Sequence, residues 1–330
     1  MKIIQITPAG KQSKSGNRVT ADRWARLIRG LGHKIETHVD YDGQPCDAMI
    51  ALHAWRSYDA IMGFKSRYPA RPLILALTGT DINEFIHTHP EPTLQSIAAA
   101  DALVCLHDLV APLMPAAQRK KLTVIYQSAA PLGSPRTPAK RHFDICVIGH
   151  LRQEKDPFRT AEAVRALPAA SRIRVIHLGR AHDQSWAQAA RAEMKINGRY
   201  IWKGEVQKWR VRREFAKTRL MVISSRNEGG ANVVSEALVA GVPVIASDIT
   251  GNVGLLGTDY AGLYPLEDAD ALRALLLRCE TEPAFLERLA AEGRALATNF
   301  TPAEEQRRWA AVIEGVAQYS DHPTGGADDR

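Results

Sequence analysis

The chain reads as an α/β protein of two Rossmann-like, doubly wound domains, and three observations predict this. Short apolar runs alternate with helical patterns along most of the chain, and such alternation builds mostly parallel sheets covered by helices. A length of 330 residues is enough for two cores. The alternation is broken once, by AAPLGSPRTPAKRH (129–142), whose proline, glycine and basic residues mark a linker. The boundary is therefore placed near Lys140, giving domains 1–140 and 141–300. A terminal helix, 301–318, and a tail, 319–330, predicted from its composition to be disordered, complete the chain.

Composition excludes several classes. With 45% hydrophobic and 24% charged residues the chain is an ordinary soluble one. No apolar run reaches the ~20 residues of a membrane span, and MKIIQITPAG is a strand and a turn rather than a signal peptide, so a cytoplasmic protein is expected. Cys46, Cys105, Cys146 and Cys279 form no CxxC pair and read as reduced core residues. The formal charge of +7 admits nucleic acid, a membrane surface or a small anionic substrate. Lys208–Arg213 (KWRVRR) is flanked by Glu205 and Glu214 and reads as an exposed helix, and no nucleic-acid-binding motif accompanies it.

In the first domain, KIIQI (2–6) is a buried strand, followed by the loop TPAGKQSKSGNR and a helix predicted over Val19–Leu31. Gly10 and Gly16 give this loop freedom, Asn17 is the candidate N-cap, and Lys11, Lys14 and Arg18 make it cationic. Neither GxxxxGK[ST] nor GxGxxG is present, so it is not an ATP or NAD site, though it can hold a small anion; a mobile basic loop has the same composition. Strands follow at Lys34–Val39, Ala48–His53, Leu73–Leu77, Ala102–Leu106 and Leu122–Tyr126. Helices are predicted at Tyr58–Tyr68 and Thr93–Ala100, and another reaches Met114. His53 and the turn Thr78-Gly79-Thr80-Asp81 fall at carboxyl ends of strands, where doubly wound sheets bind ligands. A lone His53 is more often a satisfied structural histidine, and only its strand-end position argues for a site role. His87 and His89 lack a third ligand, so no metal is assigned.

In the second domain, strands Phe143–Gly149, Arg174–Gly179, Leu220–Ser224 and Pro243–Ser247 alternate with helical patterns. Tyr200–Val206 (YIWKGEV) continues the sheet, and amphipathic helices close the chain at Ala269–Glu280, Glu282–Thr298 and Pro302–Ala317. The densest stretch is Ser224–Asp248. Gly229 and Gly230 open a helix there, so the amides of Ala231, Asn232 and Val233 can face an anion. Glu236 lies two turns inside that helix, eight positions after Glu228, and the two carboxylates are therefore expected on nearly the same azimuth. A solvated acidic helix in a strand–turn–helix unit fits the same residues.

The run E-G-G-A-N-V-V-S-E, followed by A-x-x-x-G-V-P-V-I-A-S, resembles the E-x7-E segment of GT-B glycosyltransferases of the large retaining family 4. The resemblance implies two Rossmann-like domains facing a cleft, with the last helix crossing back, and a nucleotide-sugar donor on the second domain. It implies that Glu236 and the 229–233 backbone hold the donor, that Glu228 binds the sugar, and that Gly204 and Val206 line the base. The family's G-R-L-x-x-x-K-G is matched at Gly149, Leu151 and Lys155. His150 stands at the arginine position, and Arg152 can supply the charge from two residues on. Lys155 and Arg152 are thus implied to neutralise the diphosphate. At the fourth-strand position, where the family carries a histidine or an HD-like pair, Thr80-Asp81 keeps only the acid.

QITPAGKQSKSGNRVTA, LTGTDIN and VIGHLRQEKDPFR further resemble the selenosugar synthases of selenoneine biosynthesis. That likeness implies UDP-N-acetylglucosamine and selenophosphate as substrates and no metal or other cofactor. The anion would be held by the Gly10, Lys11, Gly16, Asn17 and Arg18 loop, with His53, Thr80 and Asp81 nearby. A conventional family 4 transferase acting on a hydroxyl acceptor is the main alternative, and a non-enzymatic nucleotide-sugar sensor the second. Oligomeric state is not legible in the residues.

Overall fold

A computed structural model describes residues 1–13 and 15–321. By contacts the chain divides into two units, Met1–Gln127 joined by the segment from Pro302, and Ser128–Thr301. The division falls before Lys140 because the proline-rich stretch is tied into the second unit. The Ala129 N–H donates to the Phe300 carbonyl (3.0 Å), and the Arg136 guanidinium binds the carbonyls of Phe215, Thr218 and Gly241.

Unit 1 runs β1 (Lys2–Ile6), α1 (Gly16–Gly30), β2 (Lys34–His38), β3 (Ala48–Leu52), α2 (Tyr58–Arg67) and β4 (Leu73–Ala76). A π-helical turn, Asp81–Phe85, then leads into α3 (Ile86–Thr88), α4 (Pro90–Ala99), β5 (Ala102–Cys105) and β6 (Leu122–Val124). All neighbouring strands are parallel, in the order β2-β1-β3-β4-β5-β6. Period-two alternation sorts side chains to its faces. Ile4, Met49 and Leu75 pack with Ile61, Phe64 and Ile97 on one side, while Ile3, Ile50 and Ile74 pack with Trp24 and Ile28 on the other. The helix expected to reach Met114 is instead a 3₁₀ turn, Asp108–Leu113, because Pro112 cannot donate the hydrogen bond an α-helix needs, and a second 3₁₀ turn, Ala116–Lys121, follows Pro115.

Unit 2 runs β7 (Phe143–Ile148), α5 (Arg159–Arg165), β8 (Ile173–Leu178), α6 (Gln184–Ile196), β9 (Tyr200–Trp202), α7 (Lys208–Lys217) and β10 (Leu220–Ile223). It continues through α8 (Asn232–Val239), β11 (Val244–Ser247), α9 (Thr250–Leu256), β12 (Leu263–Tyr264), α10 (Ala269–Thr281) and α11 (Pro283–Ala297). Its strands are also parallel, ordered β12-β11-β10-β7-β8-β9. The four cysteines are buried and unbridged.

The last helix, α12 (Pro302–Asp321), belongs to unit 1. The Trp309 ring meets Trp24 edge-on at 4.8 Å. Glu305, fully buried, accepts from the Trp24 indole N–H (2.7 Å) and pairs with the Arg23 guanidinium (3.1 Å). A carboxylate survives such burial only when its oxygens are answered in this way. The helix extends beyond Ala317 into the tail, and 322–330 lie outside the described residues.

Candidate active site

In a doubly wound sheet, ligands bind beyond the carboxyl ends of the strands where the strand order reverses. In unit 2 this point lies between β7 and β10, which are hydrogen-bonded neighbours although far apart in sequence. The loop after β7 closes in a 3₁₀ turn, Gln153–Lys155. Asp156 follows at φ 41°, where the resembling motif has glycine, and Arg159 holds its carboxylate at 2.8 Å. The loop after β10 brings Glu228 against Lys155, with Nζ 2.5 Å from Oε1, and the Ser225 hydroxyl donates to the same oxygen at 2.6 Å. Arg226 stitches the two loops, its N–H donating to the Glu154 carbonyl (2.9 Å) and its guanidinium to that of Gln153 (3.0 Å). Gly251 of α9 lies so close that a Cβ there would sit 2.1 Å from the Glu228 carbonyl oxygen.

Gly230, at φ 122°, turns the chain into α8. Ala231, the N-cap, has no side-chain oxygen to cap the first turn. Glu236 sits one turn into this helix, with Lys208 Nζ at 3.8 Å. The shared-azimuth expectation for Glu228 and Glu236 is corrected here. Glu228 precedes the helix, which starts only at Asn232, because Gly229 and Gly230 interrupt helical geometry. Their eight-residue spacing therefore separates a loop carboxylate from a helical one.

The backbone at Gly149 is held from beneath. His177, fully buried, pairs through Nε2 with the Gly149 carbonyl (3.0 Å) and through Nδ1 with the Tyr200 hydroxyl (2.9 Å), and burial pushes its pKa down to about 4. A Cβ on Gly179 would lie 1.8 Å from that same carbonyl. The Gly179 N–H donates to the carbonyl of Gly204, which adopts φ 68°, and its carbonyl accepts from the Trp202 indole. Val206 follows, half-buried. His150 accepts from the Arg180 N–H (3.1 Å); burial, then the charges of Arg152 and Arg180, lower its pKa, so it is neutral at pH 7 and supplies no cation at the arginine position. Arg152 is half-exposed and ion-paired with Glu154 at 2.8 Å. Ser225, Gly251, His177, Tyr200 and Gly179 were not singled out from sequence. Gly179 and Gly251 carried the one usable signal, glycines at a strand end and a helix start.

In unit 1 the strand order reverses between β1 and β3. The loop after β1 turns at Gly10, whose carbonyl accepts from the Ser13 N–H (2.9 Å). The N-cap of α1 is Ser15, not Asn17; its hydroxyl accepts from the Arg18 N–H (3.4 Å), and Gly16, Asn17 and Arg18 form the first turn. Neither Gly10 nor Gly16 adopts a positive φ, and both face open space. Lys11 is exposed, Arg18 pairs with Asp22 at 2.8 Å, and Lys14 lies outside the described residues.

His53 follows β3 at φ 80°, in the left-handed region that costs a residue with a Cβ. Its Nδ1 is 2.7 Å from Asp81 Oδ1, and its Nε2 is 3.2 Å from the Thr80 hydroxyl. The other Asp81 oxygen accepts from the Thr78 N–H (2.8 Å) and hydroxyl (3.0 Å). His53 and Asp81 are fully buried, so neither side chain is open to a ligand, and half-exposed Thr80 is the accessible end of the chain of hydrogen bonds. His89 stacks on Trp55 at 4.2 Å, and among the described residues no group of three or more His, Cys, Asp or Glu is placed to hold a metal ion. Among them, too, no helix is long and apolar enough to cross a membrane.

A model of the glycosyl transferases group 1 family matches residues 135–296. The chain is 25% identical to the putative teichuronic acid biosynthesis glycosyltransferase TuaC of Bacillus subtilis, a match covering 64% of this chain and 56% of TuaC, so it spans only a little over half of that relative. HepE of Anabaena, solved in complex with UDP, has a TM-score of 0.78 at 15% identity, covering 96% of this chain and 100% of HepE. Sucrose-phosphate synthase from Thermosynechococcus elongatus has a TM-score of 0.79 at 14% identity, covering 96% and 99%. Likeness at such identities is one of fold. The two six-stranded parallel sheets are therefore those of the GT-B fold, and residues 135–296, within unit 2, are the part of the chain that matches the glycosyl transferases group 1 model.

Proposed function

We propose that the chain is a glycosyltransferase that binds UDP-N-acetylglucosamine on unit 2 and transfers the sugar to selenophosphate, forming a carbon–selenium bond. The observation that carries the transferase reading is the Lys155–Glu228 pair at the β7/β10 reversal, in the loop leading into the first turn of α8. An ammonium has three donors and Glu228 takes one, so Lys155 can also bind diphosphate oxygens. Negative charge grows on the departing UDP, so a fixed cation there stabilises the transition state more than the ground state. The first-turn amides of α8 act on the same charge, Arg152 adds to it from the loop rim, and Glu236 takes the ribose. Glu228 hydrogen-bonds the sugar hydroxyls with its second oxygen.

The acceptor assignment is supported by the likeness of the loop to selenosugar synthases and by the cations Lys11 and Arg18 at the start of α1. A selenium lone pair attacks the anomeric carbon, the bond from that carbon to the UDP oxygen breaks, and UDP leaves with the electron pair. Selenophosphate is anionic and nucleophilic at neutral pH, so no general base is needed, which fits the closure of His53 to ligands.

The test is direct. The protein is incubated with UDP-N-acetylglucosamine and selenophosphate, and UDP and a selenium-bearing sugar are sought by mass spectrometry. Both products are expected. UDP release no greater than without acceptor overturns the selenophosphate assignment, and release driven by a hydroxyl acceptor would favour a conventional transferase.

A further inference from the structure

We infer that the flank of α1, with Lys11 and Thr37, is a binding site for an extended polyanion carrying two or more phosphoryl groups. A cavity of about 550 Å³ on unit 1 is lined by Lys11, Arg18, Asp22, Ala25, Arg26, Arg29 and Thr37. Four cations thus face one carboxylate, and that carboxylate is already committed to Arg18 at 2.8 Å. The Arg18 side chain is only 11% exposed and its Nε–H meets no acceptor among the described residues. Arg29 is fixed by donating to the neutral Ile35 carbonyl (3.0 Å), which orients the guanidinium without cancelling its charge. Among the described residues neither Lys11 nor Arg26 has an ion-pair partner. Gathering like charges in a concavity is unfavourable unless an anion answers them.

The shape of the site sets the ligand class. Arg18, Asp22, Arg26 and Arg29 recur at helical spacing and so form one stripe on α1, eleven rises of ~1.5 Å, about 16 Å, from first to last. A single phosphate group spans only two neighbouring guanidinium forks, whereas a chain of phosphoryl groups meets successive ones, each by charge-assisted hydrogen bonds. The Thr37 hydroxyl, on β2, offers a further donor at the wall. A concave site on one helix flank suits a soluble phosphorylated molecule better than the flat face of a bilayer. This site extends well past the loop assigned to the acceptor and does not depend on the glycosyl-transfer reading.

The experiment is calorimetric titration of the full chain with sodium tripolyphosphate, with inorganic phosphate, and with phosphatidylglycerol vesicles, without any sugar nucleotide. Tripolyphosphate is expected to bind at least tenfold more tightly than phosphate, with vesicles weaker than either at matched charge. Arg26→Gln should weaken tripolyphosphate binding about tenfold and Arg26→Lys much less. UDP binding, measured in the same variants, should be unchanged, as should their melting temperature without ligand. Equal binding of phosphate and tripolyphosphate, preferential vesicle binding, or indifference to Arg26→Gln would each overturn the assignment, whatever the outcome of the transferase assay.

Discussion

Two units share one architecture, a six-stranded parallel sheet with a strand-order reversal, and furnish that reversal in opposite ways. Unit 2 builds its site from backbone packed on backbone. Gly179 and Gly251 let main chain approach the carbonyls of Gly149 and Glu228, and Lys155 is held by an ion pair at 10% and 23% side-chain exposure. Unit 1 offers long side chains on an exposed loop and helix flank, and the tightly organised His53–Asp81 cluster at its strand ends is closed to solvent. A site made by glycine contacts is rigid and suits an invariant ligand part such as a nucleoside diphosphate. One made by flexible cations pays less for change of ligand. Organisation, rather than charge count, separates the two.

The largest expected effect tests that contrast. Lys155→Ala should lower kcat/KM about 1000-fold, roughly 4 kcal/mol, as expected when a preorganised transition-state donor is lost. Lys11→Ala, on the exposed loop, should cost about tenfold and mostly in acceptor KM. Steady-state kinetics with both substrates varied would decide, and equal losses would erase the distinction.

A second test exploits the tethering of unit 1 by a distant segment. Glu305→Ala removes the buried carboxylate that the Trp24 indole N–H and the Arg23 guanidinium bind, and should destabilise unit 1 by about 3 kcal/mol. Urea unfolding followed by tryptophan fluorescence should show an earlier transition, while UDP binding to unit 2 persists below it. Joint loss of both would mean that the units do not unfold independently.

The smallest effect concerns acid. His177 in unit 2 and His107 in unit 1 are buried, and burial lowers each to about 4 from an ordinary 6.5. The unfolded chain therefore binds more protons between these values, so stability falls as pH drops from 6.5 towards 4. Each histidine should cost about 2 kcal/mol between pH 7.5 and 5. His177→Gln, whose amide can still donate to the Gly149 carbonyl, should remove this slope from unit 2 and leave that of unit 1. Urea midpoints at the two pH values provide the measurement.

Much of the fold was legible because it is local. Strand runs such as AMIAL, buried along its whole length, and helices such as α6 and α10 announce themselves by period, and Gly241, at φ 70°, stands just past the end of α8 where a glycine stops a helix. The errors were local too. Ser15 rather than Asn17 caps α1, since several Ser and Asn residues compete for the role within a few positions and only the folded backbone selects one. Pro112 lies inside the helix expected to reach Met114, and its missing N–H makes that segment a 3₁₀ turn instead.

The alternation of strand and helix, the two sheets it implies, and the residue types on which a diphosphate site depends are all written in the order of the residues, because periodicity and glycine positions act within a few residues. Tertiary structure alone decided which of those residues meet. Lys155 and Glu228 are 73 positions apart, and they touch because β10 pairs on one side with β7, three strands earlier in the chain, and on the other with β11. His177 reaches Gly149 across 28 positions for the same reason, parallel strands placing remote loops side by side. The same folding buried His53 and Asp81 and brought Lys11 and Thr37 to the stripe of three arginines that helical spacing lays along α1, outcomes fixed by packing of segments remote in the chain.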